Sequence, residues 1–122
     1  MAKKKILIVE DEQVIQVLCR RLLGQGAYDL TVVGSVQEAM QILGRGTPDL
    51  LITDLRLPDG DGVEVIRRLR ESSSGAAVII ITGSPTPEER LHKIEDLDVL
   101  EYINKPFEVE LLLDSVKRVL EG

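Results

Sequence analysis

Apolar residues fall along this chain in two alternating patterns. Short runs dense in β-branched residues, such as Ile6–Val9 and Val78–Ile81, alternate with longer stretches where apolar positions recur every three or four residues. The first pattern is that of strands buried on both faces, the second that of helices buried on one. Ile6-Leu7-Ile8-Val9 predicts a first buried strand, ended by Glu10-Asp11-Glu12. Asp11 or Glu12 can cap a helix that runs to about Leu23, with Val14, Val17, Leu18 and Leu22 on its apolar face. Gly24 and Gly26 stop it. Asp29 to Val33 is a shorter second strand, nearer an edge. Ser35-x-x-Glu38 is a capping box that opens a helix with Val36, Ala39, Met40 and Leu43 inward.

Leu50 to Thr53 is the third strand, and it ends abruptly at Asp54. Pro58, Gly60 and Gly62 forbid its continuation and force a loop. Val63 to Arg70 is amphipathic, with Val63, Val65, Ile66 and Leu69 apolar. Val78 to Ile81 is the fourth strand and ends in Thr82-Gly83. Thr86-x-x-Glu89, with Pro87 at the first helical position, opens a helix to about Glu95. Leu100 to Ile103 is the fifth strand, left through Asn104-Lys105-Pro106-Phe107. The last helix, from about Glu108, carries Leu111, Leu112, Val116, Val119 and Leu120. Five strand-then-helix units imply an α/β fold, a doubly wound five-stranded parallel sheet of order 2-1-3-4-5 with helices on both faces.

Composition narrows the reading. A chain of 122 residues is expected to be one domain, with no second domain after the fifth helix. A net charge of −6 argues against direct nucleic-acid binding. No apolar run is long enough to span a bilayer. Lys3-Lys4-Lys5 is followed by too short an apolar run, Ile6 to Val9, for a signal peptide. The single Cys19 fits a reducing compartment, so a cytoplasmic protein is expected, with Cys19 as a packing residue. Tyr28 reads as a packing or loop residue, His92 as a solvated helix residue, and Asp59 and Asp61 as turn formers.

Chemistry gathers at the strand ends. A doubly wound sheet brings the carboxyl ends of strands one, three, four and five to one edge, where ligands bind. Glu10, Asp11, Asp54, Thr82 and Lys105 would converge there. Three neighbouring carboxylates repel one another unless a cation sits among them, and a hard one, Mg²⁺ or Mn²⁺, suits oxygen ligands. An Asp carboxylate can act as a nucleophile. With Lys105 and the Thr82 hydroxyl nearby, an incoming phosphoryl group would be neutralised and hydrogen-bonded, and such positioning is most of phosphoryl-transfer catalysis. An Asp-nucleophile phosphatase is disfavoured, because Glu10-Asp11-Glu12-Gln13 replaces the Asp-x-Asp-x-Thr expected after the first strand. A flavin-binding electron carrier is disfavoured by that acidic loop and by three aromatic residues in all.

Val9-Glu10-Asp11-Glu12, Asp54-x-x-x-Pro58-x-x-Asp61-Gly62, Thr82-Gly83 and Lys105-Pro106-Phe107, in that order, resemble the receiver domains of two-component response regulators. The resemblance covers the whole chain and implies a flavodoxin-like fold and a role in phosphorelay signalling, with no external substrate beyond self-catalysed phosphorylation and dephosphorylation. It implies that Asp54 is the phosphoacceptor, that Glu10 and Asp11 hold Mg²⁺ with Asp54, and that the Arg56 backbone carbonyl is a further metal ligand. It also implies that Lys105, Thr82 and the Gly83 amide bind phosphoryl oxygens, and that Thr82 and Tyr102 form a switch. The implied partners are a histidine kinase and a downstream protein or second copy docking on helix four, strand five and helix five. Many receivers carry a Gly-Ala turn before strand five; this chain reads Asp96-Leu97-Asp98-Val99 there.

Overall fold

The β-branched runs assemble into one parallel sheet whose central strands find apolar neighbours on both faces. The computed structural model describes residues 2–72, 75–83 and 95–121. The sheet comprises β1 (Lys4–Val9), β2 (Tyr28–Val33), β3 (Leu50–Asp54), β6 (Ala77–Thr82) and β7 (Glu101–Asn104). Two-residue strands β4 (Arg56–Leu57) and β5 (Gly60–Asp61) form a separate antiparallel hairpin within the expected loop. Sheet order is β2-β1-β3-β6-β7, with every pair parallel. With the hairpin set aside this is the expected 2-1-3-4-5, a doubly wound, flavodoxin-like α/β fold. The helices are α1 (Gln13–Leu23), α2 (Val36–Leu43), α3 (Gly62–Ser72) and α4 (Val109–Leu120), with a 3-10 turn at Glu95–Leu97. The expected capping box at Thr86 and Glu89, with Pro87 and His92, lies outside the described residues. Among the described residues no helix is long and apolar enough to cross a membrane.

Strand side chains alternate between two cores. Leu7, Val9, Leu51, Val78 and Ile80 pack with Ala39 and Leu43 of α2 and with Val65, Ile66 and Leu69 of α3. Ile6, Ile8, Leu50, Ile52, Ile79, Ile81 and Ile103 pack on the other face with Cys19 and Leu23 of α1 and with Leu112 and Val116 of α4.

Two helix faces differ from expectation. In α1 the core stripe is Ile15, Cys19, Leu22 and Leu23, whereas Val14 is 78% exposed and Val17 is exposed too. Both sets are helical stripes, and the one buried follows the i, i+4, i+7, i+8 spacing along the whole helix. In α4 Leu111 is exposed and Leu113 packs in its place, beside a buried Ser115 whose hydroxyl donates to Glu101 Oε2 at 2.5 Å.

Helix α2 shows how its first turn is satisfied. The Ser35 half of the expected capping box is present, Glu38 N–H donating to Ser35 Oγ at 3.1 Å, while Glu38 Oε1 accepts from the Ser35 hydroxyl at 3.1 Å and from Gly34 N–H at 3.3 Å. The remaining free amides, of Val36 and Gln37, donate to the two carboxylate oxygens of Asp59 at 2.8 and 2.9 Å. Asp59 is therefore more than a turn former; it fastens the β4–β5 hairpin to the start of α2. These two bonds hold its carboxyl below the usual carboxylate range.

The approach to β7 is made without a glycine. Asp98 takes φ 55°, a left-handed conformation that Asp adopts more readily than most residues. The Arg70 guanidinium donates to Leu97 O at 2.8 Å, Asp98 O at 3.1 Å and Ala76 O at 2.5 Å, tying this turn to α3 and β6.

Candidate functional site

Strand parity carries the site. Glu10 continues the alternation of Ile6 and Ile8, Asp54 that of Leu50 and Ile52, and Lys105 the step after Ile103. All three leave the sheet on the face lined by α1 and α4. Register brings them level: Asp54 pairs with Ile81, Thr82 with Asn104, and Lys105 N–H donates to Thr82 O at 2.8 Å.

Lys105 is the hub. Its ammonium donates to Asp54 Oδ2 at 2.8 Å, to Glu10 Oε1 and Oε2 at 2.8 and 2.9 Å, and to Glu12 Oε1 at 2.9 Å. Burial alone would lower the Lys105 pKa, but its bonds to Asp54, Glu10 and Glu12 outweigh burial and hold it above the ordinary lysine value. Glu10 shows the opposite balance. Burial pushes its carboxyl up to about 7 although Lys105 and the Glu12 amide both pull it down. Asp54 Oδ1 accepts from Arg56 N–H at 3.1 Å, so both its oxygens have donors.

The loop after Asp54 is close-packed. A Cβ on Gly62 would lie 2.0 Å from the Asp54 carbonyl oxygen, so only glycine lets the chain turn back here against the end of β3. Asp61 Oδ1 accepts from Val63 N–H at 2.9 Å in the first turn of α3.

Of the expected site residues, Glu10, Asp54 and Lys105 meet directly. Thr82 is buried at the end of β6, and Gly83 lies against the Lys105 chain, 3.6 Å from its Cδ at the Cβ position. Asp11 is exposed, and among the described residues the acidic group with oxygens within 4.8 Å of one another is Glu10, Glu12 and Asp54. β1 ends at Val9, and Asp11 lies in the loop that leads into α1. Tyr102 stands level with Ile80, two residues short of Thr82, and is 40% exposed.

Two features went unforeseen. Glu12 occupies the N-cap position of α1 but makes no side-chain cap bond, its carboxylate going to Lys105 instead. Gln16 Nε2 donates to Glu10 O at 2.6 Å, pinning the acidic loop to α1. The oxygen-only donor set of Glu10, Glu12 and Asp54 could hold a metal and suits a hard cation. Glu10, desolvated and only partly compensated by Lys105, has a use for more positive charge.

Residues 6–117 match the model of the family described as "Response regulator receiver domain". The chain belongs to that family. Among the curated relatives of this receiver domain is Sporulation initiation phosphotransferase F of Bacillus subtilis, 28% identical over 98% of this chain and 96% of its own length. Another is the uncharacterized transcriptional regulatory protein YkoG of Bacillus subtilis, 33% identical over 98% of this chain. The receiver spans 52% of that relative's length. A CheY-like response regulator receiver domain from Methanospirillum hungatei has a solved structure that superposes with a TM-score of 0.88 at 25% identity, over 96% of this chain and 93% of that one. The protein is a receiver domain of two-component phosphorelay signalling.

Proposed function

We propose that Asp54 accepts a phosphoryl group from a histidine kinase and that the phosphorylated form selects a downstream partner. The observation that carries this reading is the 2.8 Å bond from Lys105 Nζ to Asp54 Oδ2, on a buried carboxylate at the end of a central strand. An oxygen of Asp54 attacks phosphorus in line with the leaving group, while Lys105 offsets charge on the phosphoryl oxygens. The Thr82 hydroxyl and the Gly83 amide supply further donors. In this reading Glu10, Asp11 and Asp54, with the Arg56 carbonyl, hold Mg²⁺, for which Mn²⁺ can substitute. A bound cation of this kind lowers the repulsion between carboxylate and incoming phosphoryl oxygens.

The same reading makes residues 1–122 one receiver unit that works in the cytoplasm and turns over no external substrate. Exposed Leu100, Tyr102 and Leu111, on and beside β7 and on α4, supply apolar contact area for a downstream protein or a second copy. Incubation with acetyl phosphate and Mg²⁺, followed by intact-mass analysis, tests the acceptor. Wild type should gain one phosphoryl group and Asp54→Asn none. Full labelling of the Asn variant would reject Asp54.

A further inference from the structure

The Lys105 ammonium has three hydrogens, and three carboxylates take them. If Lys105 is to pair with a phosphoryl oxygen, one of those bonds must open. Asp54 keeps its carboxylate charge until its bond to phosphorus forms, so its contact with Lys105 still holds as the donor arrives. Glu10 is 2% exposed and accepts from the ammonium with both of its oxygens, at 2.8 and 2.9 Å, so opening that link gives up two contacts where Glu12 gives up one. Glu12 differs: its side chain is 56% exposed, so its carboxylate passes to water at little cost.

We propose that Glu12 is a positioning residue for phosphoryl transfer: its carboxylate holds Lys105 in place in the resting protein and is exchanged for a phosphoryl oxygen as transfer proceeds. The proposal rests on Asp54 being the acceptor. With acetyl phosphate as donor, a new bond forms between Asp54 Oδ and phosphorus. The bond from phosphorus to the acetyl oxygen breaks, and acetate leaves with that electron pair. No proton moves, and the charge freed from Lys105 by Glu12 is met by the phosphoryl group. The Glu12 backbone has a separate task, donating its N–H to Glu10 Oε1 at 3.1 Å, and side-chain substitutions leave that bond available.

Glu12→Asp keeps the charge but loses reach to Lys105; Glu12→Gln keeps the reach and loses the charge. If Glu12 is the exchangeable partner, both variants release Lys105 more readily. Labelling by subsaturating acetyl phosphate with Mg²⁺ should then be about threefold faster than in wild type, the scale of an exposed ion pair. Hydrogen exchange of the Lys105 ammonium, followed by ¹⁵N NMR without donor or metal, should quicken in both variants, which a role in folding alone would not produce. Wild-type labelling at Asp54 with unchanged or slower rates in both variants would overturn the proposal and leave the acceptor assignment intact. Acceleration in Glu12→Gln alone would reduce Glu12 to a repelling charge and overturn the exchange. Acceleration without faster ammonium exchange would do the same. If wild type is not labelled at all, the acceptor assignment fails and this inference fails with it.

Discussion

Replacing Lys105 by Met keeps most of the stem and removes the ammonium, so it isolates what the charge contributes. Contacts of 2.8 Å to Asp54 and Glu10 would each be worth about 6 kcal/mol of attraction at an effective dielectric of about 20. Desolvation of the three groups takes back most of that in the native protein. The variant loses the attraction but keeps the buried carboxylates, an imbalance that costs roughly 3–5 kcal/mol when nothing relieves it. Here proton uptake relieves part of it. Glu10 is already pushed up to about 7 by burial with the lysine beside it, and without the lysine it rises further.

The sign follows from where the proton binds more tightly. The Glu10 carboxyl has a higher pKa folded than unfolded, so its contribution is complete below the unfolded value and is lost as pH rises through about 7. Lys105, also raised, contributes across neutral pH and loses its contribution only in strongly alkaline solution. Lys105→Met should therefore be about 2–4 kcal/mol less stable than wild type at pH 8, with the gap narrower by about 1 kcal/mol at pH 6. Urea unfolding at pH 6, 7 and 8 without divalent cations measures this, provided the denaturant slopes agree. A gap that is the same at all three pH values would refute the protonation argument, and no gap at pH 8 would refute the buried charge cluster.

Gly62→Ala should lose roughly 2–3 kcal/mol and slow labelling at Asp54 about tenfold or more, because the added carbon meets backbone at the acceptor itself; a wild-type labelling rate would show that the turn adapts. Mg²⁺ at a hundredfold excess over its dissociation constant should stabilise wild type by about 2.7 kcal/mol. Asp11→Asn should lose that response in thermal melts and be no less stable without metal; a surviving shift puts the cation elsewhere. Beryllofluoride should move amide shifts in β7 and α4 of wild type and much less in Thr82→Ala, and equal shifts in both would take Thr82 out of the route.

The strands were legible because a parallel strand buried on both faces leaves an unbroken apolar run, as at Ile79-Ile80-Ile81. Once their order was in hand, topology brought Glu10, Asp11, Asp54, Thr82 and Lys105 to one edge, but it did not separate Glu10, which meets Lys105, from the exposed Asp11. The helix faces were less legible. Val14 and Val17 looked as inward as Ile15 and Cys19, and only packing against Ile6 and Ile8 separates the two stripes. Glu12 reads as a cap in any local window, yet its partner is 93 residues away. Asp59 reads as a turn residue, and the amides it satisfies lie 23 and 22 residues back. Both acids satisfy distant groups, and no local pattern encodes that.

Two cores back to back make the sheet a partition, and the acceptor belongs to one side of it. Glu10, Asp54 and Lys105 form the polar rim of the compartment floored by Ile8, Ile52, Ile81 and Ile103 and walled by α1 and α4. Damage to that compartment has a short path to the chemistry. Cys19, wholly buried there, has its thiol pushed up to about 11 by burial first and by the Glu10 charge second, which marks how near the floor lies to the rim. A void opened at Cys19 or Val116 should disturb Asp54 labelling more than an equal void at Leu43 or Leu69 across the sheet. Neutral drift should therefore find the α2–α3 side the more permissive half of the molecule.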